Sequence, residues 1–380
     1  MTKKILCVIL ALTTVMASFA ACKDGGKTST GSSPETESTS QSTSVIEPEE
    51  TEGYVSLLTD KTFSNGFMMR GLGAPIYNDP IETFGTEMYD PNVRFQYGQE
   101  NANQPEWNIC QWATRYPFHD VTNSSPYLPE GKINYAFEDL GQGKYEYLNA
   151  SKSIRVDTAT GELSLGLKAS ECYKYPRTQG QEWPHLLIEK RIYNQPNRPK
   201  QCHIASSQSM MVNVDVKMNS FVDHMGASAN KDLHSAICMM YLFVSNIEKG
   251  METDMLWLGL YLFDNRYIIT SQESFPDVGT KGSASEKWIF NIASSEHYSL
   301  DYNLKTVDGE IIFNEWRTVQ VDVLGKIYEA FNNAQANGYM KHSKWENLYI
   351  NGMYFGFELP GTYDIDMSFR NLDITSYIEY

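Results

Sequence analysis

Residues 354–375 read YFGFELPGTYDIDMSFRNLDIT, and their alternation decides the fold class. Phe355, Phe357 and Leu359 recur at every second position, Pro360-Gly361-Thr362 makes a turn, and Ile365, Met367 and Phe369 alternate again before Asn371-Leu372. A period of two with apolar residues on one side is the signature of half-buried strands. Working outward, SIRVDTATGELSLGLKA (153–169) predicts a hairpin: Ile154 and Val156 precede a Thr-Ala-Thr-Gly turn, and Leu163, Leu165 and Leu167 follow it. MMVNVDVKM, ICMMYLFV, MLWLGLYLF, WRTVQVDVL and LYINGMYFGFEL repeat the strand character between Gly, Asn and Pro punctuation. Many strands and few helices predict an all-β fold, an antiparallel sandwich or barrel. One segment differs. LGKIYEAFNNAQANG places Leu324, Ile327, Tyr328, Phe331 and Ala334 at helical spacing and stops at Gly338, so a single helix is expected on the β framework.

The N-terminus, MTKKILCVILALTTVMASFAAC, has a lysine-bearing start, a short apolar run and small residues leading to a cysteine, which is the order of a bacterial export signal. Phe19, Ala20, Ala21 and Cys22 resemble a lipobox, with Phe19 where leucine is usual; residues 1–21 would then be removed and Cys22 lipidated. Ordinary cleavage after Ala20 or Ala21 is the other reading. Residues 22–53 are rich in Ser, Thr, Gly and Glu and cannot bury enough apolar surface to order themselves, so they are expected to form an acidic tether. Residues 54–380 then form one large domain. A lipid-anchored protein facing outside the cytoplasm is the expected result.

A formal net charge of −16 argues against nucleic acid as a partner, since its phosphates reward basic surfaces. No phosphate loop or dinucleotide motif follows any strand, and no cofactor is expected. Cys110, Cys172, Cys202 and Cys238 show no zinc spacing, and no Asp/Asn-rich loop reproduces an EF-hand, so no metal is expected either.

The C-terminal phrase resembles the closing strands of large concanavalin A-like jelly-roll domains. The resemblance implies two curved antiparallel sheets, a convex back and a concave face that in many relatives binds or cleaves polysaccharide. The paired-carboxylate signature of the best-known hydrolases of that fold is absent. Glu252-Thr253-Asp254 is followed by Met255, Leu256 and Trp257 without a second carboxylate at the required spacing, and Glu182 and Glu189 have opposite parity. Alginate-lyase relatives carry a Gln-x-His strand, but the neighbours of Gln201-Cys202-His203 do not match it.

The richest candidate site is EWPHLLIEKRIY (182–193). As an extended strand it puts Leu186, Ile188, Lys190 and Ile192 on one side, and Trp183, His185, Leu187, Glu189, Arg191 and Tyr193 on the other. Rings that stack on sugar C–H surfaces, beside charged groups that bond hydroxyls, would make that second side a glycan-binding face. The alternative is a solvated sheet face on which Glu189 and Arg191 pair with neighbouring strands. The same strand carries parts for β-elimination from a uronic acid: His185 or Tyr193 as base, Arg191 against the substrate carboxylate. Trp107, Trp112 and Arg115 are a second candidate group in a Pro- and Asn-containing stretch, with inward-facing Trp plugs as the alternative. Asp264 and Arg266 follow a strand and form either a turn or an edge of the site. The expected function is carbohydrate binding, with a polysaccharide or oligosaccharide as ligand and a membrane contact through Cys22. A lyase or hydrolase with a non-standard site and a structural envelope protein are the alternatives.

Overall fold

The structure is a computed structural model that describes residues 53–72, 94–95, 105–111, 116, 118, 136–173, 175–193, 201–248, 254–278, 285–298 and 303–378. The export signal, Cys22 and the tether up to residue 52 lie outside the described residues, as do Trp112 and Arg115.

In chain order the strands begin with β1 (Gly53–Ser56), β2 (Phe67–Leu72), β3 (Arg94–Phe95), β4 (Trp107–Gln111), β5 (Ala136–Gly141) and β6 (Lys144–Leu148). They continue with β7 (Lys152–Asp157), β8 (Glu162–Lys168), β9 (His185–Arg191), β10 (Ser209–Asp223), β11 (Ile237–Asn246) and β12 (Met255–Asp264). β13 (Glu273–Pro276), β14 (Trp288–Ile292) and β15 (Arg317–Asp322) precede the helix α1 (Leu324–Ala336), and β16 (Leu348–Glu358) and β17 (Tyr363–Ile378) close the chain. They form two sheets. One is eight-stranded in the order β15-β10-β17-β8-β7-β6-β5, with β1 paired to the end of β17; the other is nine-stranded in the order β13-β14-β12-β11-β16-β9-β4-β2-β3. The result is the two-sheet jelly-roll sandwich expected from the C-terminal phrase. Among the described strands pairing is antiparallel except for β12 with β14 and β2 with β4, two parallel contacts that alternation alone does not reveal.

Burial follows the alternation. Leu163, Leu165 and Leu167 of β8, Val212, Val214 and Val216 of β10, and Ile365, Met367 and Phe369 of β17 meet Leu186 and Ile188 of β9, Met240 and Leu242 of β11, and Phe355 and Phe357 of β16 in one inter-sheet core. Each such side chain contributes roughly 1.5–3 kcal/mol on burial. The predicted hairpin forms as β7–β8, with Asp157 opposite Glu162. The Gly161 N–H donates to the Asp157 carbonyl at 2.8 Å, and Asp157 Oδ1 accepts from the Ala159 N–H at 3.0 Å.

The C-terminal phrase spans the sandwich: β16 lies in the nine-stranded sheet and β17 in the eight-stranded one, so residues 359–362 form a corner between layers. In α1 the buried stripe is Ile327, Ala330, Phe331 and Ala334. Tyr328 departs from the expected stripe: it is exposed and meets the Trp345 ring edge-on. Its phenol is served better by water than by the core. Gly338 stops the helix at a φ of +85°, with its N–H donating to the Gln335 carbonyl. The four cysteines of the domain are buried free thiols.

Candidate functional site

The nine-stranded sheet has a second apolar cluster on the face turned away from the core: Cys110, Leu187, Ile237, Met239, Tyr241, Phe243, Trp257, Tyr261, Ile289 and Tyr354. Every described member belongs to that sheet itself, and all of them are buried. Leu186 and Ile188 point to the core while Leu187 points to this outer face, so β9 divides by parity as the strand reading expects.

Strand register places a polar row straight across the face. Glu273 of β13 lies opposite Asn291 of β14, which is opposite Gly259 of β12, then Tyr241 of β11, Tyr354 of β16, Glu189 of β9 and Asn108 of β4. Directly opposed residues share a face, so seven strands contribute one continuous line. The neighbouring row carries Trp257, Phe243 and Arg191, and beyond the other side Glu358 lies opposite both His185 and Ile237. Gly259 is required in this line. A Cβ there would sit 2.0 Å from Asn291 Oδ1 and 2.7 Å from Tyr241 Cε1, so the two larger side chains occupy the space that glycine leaves.

Four rings pack together at the centre. Tyr241 and Tyr354 have centroids 5.2 Å apart, Phe243 and Tyr354 5.3 Å, and Trp257 stands perpendicular to Tyr354 at 5.7 Å. Around them, Arg191 Nε lies 3.0 Å from Glu189 Oε1, the Cys110 thiol points to Glu189 Oε2 at 3.7 Å, and the Tyr261 hydroxyl donates to Glu273. Glu358 Oε2 accepts a long bond from Trp183 Nε1 at 3.4 Å and lies 3.6 Å from His185 Nε2.

Several polar atoms here are buried without a hydrogen-bond partner: Tyr241 Oη, Trp257 Nε1, Asn291 Oδ1, Tyr354 Oη and Glu358 Oε1. Burial holds both tyrosine hydroxyls in the neutral form far above their ordinary range. Glu358, Glu273 and Asp277 add to this at Tyr241, and Glu358, Tyr241, Asp277 and Glu189 at Tyr354. Asn291 neighbours the Tyr241 hydroxyl and favours its ionised form, but forms no well-shaped hydrogen bond with it.

The structure brings His185, Glu189 and Arg191 to this face, and it places the other expected residues elsewhere. Trp183 precedes the strand and packs into the inter-sheet core, its indole stacked 5.7 Å from His185 and under the Arg177 guanidinium at 4.6 Å, so it is no solvent-facing platform. Tyr193 lies past the strand end. The Ile192 and Tyr193 N–H groups both donate to the Asn351 carbonyl, which interrupts alternation, and the Tyr193 ring packs against the core beside Tyr349. Tyr193 is therefore not placed to act as the base of a β-elimination, and of the two bases expected only His185 shares this face with Arg191. Trp107 is an inward plug, with Nε1 donating to the Asp60 carbonyl at 2.8 Å. Lys190, expected on the core side, is fully buried there, with its ammonium 2.6 Å from Glu106 and over the Trp107 ring. Asp264 and Arg266 pair with each other at 2.6 Å, and Asp264 Oδ1 accepts from the Arg266 N–H, in a turn at the end of β12 that the Lys305 ammonium also joins through the Asp264 carbonyl. Among the described residues no cluster of His, Cys, Asp and Glu could hold a metal ion.

No family model matches the sequence and no curated protein matches it. Among solved structures the chain is similar to a metagenome-derived glycoside hydrolase family 12 endoglucanase, at 12% identity and a TM-score of 0.34, covering 65% of this chain and 96% of that one. It is also similar to endoglucanase Cel12A from Rhodothermus marinus, at 10% identity and a TM-score of 0.34, over 65% and 97% of the two chains. A family 12 xyloglucanase from Bacillus licheniformis matches at 11% identity and a TM-score of 0.34, over 64% and 99%.

Proposed function

We propose that the protein binds carbohydrate on the outer face of the nine-stranded sheet. The observation that carries this reading is the concentration there of buried polar atoms without partners, among four packed aromatic rings. Leaving a buried donor or acceptor unpaired costs about 1–3 kcal/mol, so native structures leave few, and a group of them on one face points to a ligand that completes their bonds. A sugar fits this chemistry, because its hydroxyls can pair with Tyr241, Asn291, Tyr354 and Glu358 and can accept from the Trp257 indole N–H. Lipidation of Cys22 and an acidic tether over residues 22–53 belong to the same reading: they would hold the sandwich off a membrane with this face outside the cytoplasm.

Glycoside hydrolysis has one observation in its favour. Glu189 and Glu358 share the face on neighbouring strands, which parity within a single strand cannot reveal. Their register positions differ by four residues, roughly 13 Å along the strands, whereas hydrolytic carboxyl pairs stand about 5–9.5 Å apart. Glu189 is drawn toward Arg191 and Glu358 toward Trp183 and His185, in opposite directions along β9. The carboxyls diverge, and binding without cleavage is the better reading.

A glycan array probed with the intact chain beside Trp257→Ala tests it. Wild type is expected to retain at least one oligosaccharide class, and Trp257→Ala to lose about tenfold or more of that affinity. New reducing ends released from a retained polymer would establish hydrolysis in place of binding alone, and no retained glycan would overturn the reading.

A further inference from the structure

The eight-stranded sheet has an outer face of its own, and parity fixes what stands on it. Leu165 and Leu167 of β8, Ile154 of β7, and Ile365 and Met367 of β17 point to the core, so Gly166, Ser153, Asp364 and Asp366 point the other way. Register runs one row across five strands there, from Ser220 to Asp366, Gly166, Ser153 and Leu148, with Val222, Asp364 and Lys168 in a second row beside it. The two rows line a crevice of about 160 Å³. Gly166 is its floor. A Cβ there would fall 2.4 Å from Ser153 Oγ and 2.9 Å from Asp366 Oδ2, so both oxygens lean over the bare glycine.

Hydrogen-bond accounting shows what the crevice lacks. A carboxylate accepts about four bonds. Arg155 donates to both Asp366 oxygens at 2.6 Å and the Asn219 amide donates to Oδ1 at 2.7 Å, which leaves one site on Oδ2, the oxygen above Gly166. The Ser170 N–H donates to Asp364 Oδ1 at 3.0 Å, and the Ser170 hydroxyl and His224 Nε2 donate to Oδ2 at 2.8 and 3.0 Å, which leaves one site on Oδ1. Ser153 is 9% exposed, and its hydroxyl bonds to no described residue. Two acceptor sites and one hydroxyl therefore face one small space. Arg155 answers the charge of Asp366, so a donor is missing there and not a cation. The apolar lips, Leu148 and Val222, are 44% and 46% exposed.

We propose that this crevice is a sugar site separate from the one on the nine-stranded sheet, and that it takes a single neutral pyranose. The sugar hydroxyls donate to Asp366 Oδ2 and Asp364 Oδ1 and pair with Ser153, while its C–H surface lies between Leu148 and Val222. The two aspartates stand two residues apart on one face, roughly 7 Å along the strand, which is the span of a ring with a hydroxyl at either end. The volume suits one ring and not a chain, since pockets that enclose larger ligands measure roughly 300–1,000 Å³.

Titration of the nitrogen-15-labelled full chain with the methyl glycosides of glucose, galactose, mannose and xylose, each beside its fully O-methylated counterpart, tests the proposal. At least one glycoside is expected to shift the backbone amides of Ser153, Gly166 and Lys168 saturably, with an affinity in the millimolar range. Its O-methylated counterpart keeps the ring but has no donor, and is expected to bind about tenfold more weakly or worse. Ser153→Ala is expected to weaken binding about threefold, and Gly166→Ala, whose methyl fills the floor, about tenfold or more. No saturable shift of those amides with any glycoside, equal binding of the O-methylated form, or unchanged binding in Gly166→Ala overturns the proposal. The comparison of the two ligand forms on wild type decides the matter even if Gly166→Ala does not fold. Because these reporters lie on the eight-stranded sheet, none of the outcomes bears on binding at Trp257.

Discussion

Replacing Gly259 by alanine is expected to abolish ligand binding, by about a hundredfold or more, while the protein remains folded. The added methyl would fall 2.0 Å from Asn291 Oδ1 and 2.7 Å from Tyr241 Cε1, both side-chain atoms of the polar row. No backbone atom is among these nearest contacts, so the strands stay paired while the two side chains are pushed from the positions in which they face a ligand. Overpacking of this kind costs about 1–3 kcal/mol, or several degrees in Tm for a domain of this size. Displacement of two contacting groups by an ångström or more removes the complementarity on which affinity depends. Gly325→Ala in α1 is the control, since a Cβ there meets nothing within 4 Å. Titration with the oligosaccharide that wild type retains, together with a thermal melt, reads both quantities. Unchanged affinity in Gly259→Ala would place the ligand somewhere other than this row.

Gly356→Ala is expected to have the largest effect on stability. Gly356 has a φ of +140°, a conformation open to glycine and strained for any other residue. An added Cβ would fall 2.2 Å from the Leu186 carbonyl oxygen and 2.9 Å from the Leu187 Cα. Both are backbone atoms of β9, the strand that pairs with β16 at this point. The clash cannot be relieved by a rotamer, so the two central strands of the sheet must part. A loss of about 3 kcal/mol or more follows, near the exceptional end for one substitution. The midpoint of urea unfolding relative to wild type measures it, and a midpoint within experimental scatter of wild type would show that β16 accommodates the methyl.

These two glycines mark where sequence reading succeeds and where it stops. YFGFELPGTYDIDMSFRNLDIT declares two strands because Phe355 and Phe357, then Ile365, Met367 and Phe369, alternate toward a core they do share. Their division between two sheets is invisible locally. β16 pairs with β9 and β11, and β17 with β10 and β8, all distant in the chain, and no local period encodes such long-range pairing. In EWPHLLIEKRIY parity separates Leu186 and Ile188 from Leu187 and Glu189, because those residues lie within the strand. Trp183 and Tyr193 lie beyond its ends, where Pro184 and the shared Asn351 carbonyl break the alternation.

Most of the candidate site was hidden for a different reason. ICMMYLFV and MLWLGLYLF are continuous apolar runs, since the outer face of β11 and β12 is itself aromatic. Tyr241 and Trp257 therefore look like core until the register aligns them with Tyr354 and Glu189. Their polar tips were the available signal: a Tyr or Trp inside an apolar strand needs a partner for its hydroxyl or indole N–H. Glu358 stands inside the C-terminal phrase. Its relation to Glu189 requires the β9–β16 register, whereas a search for paired carboxylates within one strand passes it by.

The indole N–H resonances offer the most direct measurement, because the chain has seven tryptophans and their bonding differs. Trp107 donates to the Asp60 carbonyl and Trp288 to Asn333, whereas Trp257 Nε1 is buried without a partner on the proposed binding face. Titrating nitrogen-15-labelled protein with the retained oligosaccharide is expected to shift the Trp257 resonance as its N–H gains an acceptor, while those of Trp107 and Trp288 stay in place. A bound glycan that moves the Trp316 or Trp345 resonance and leaves Trp257 unchanged would contradict a ligand site on the outer face of the nine-stranded sheet.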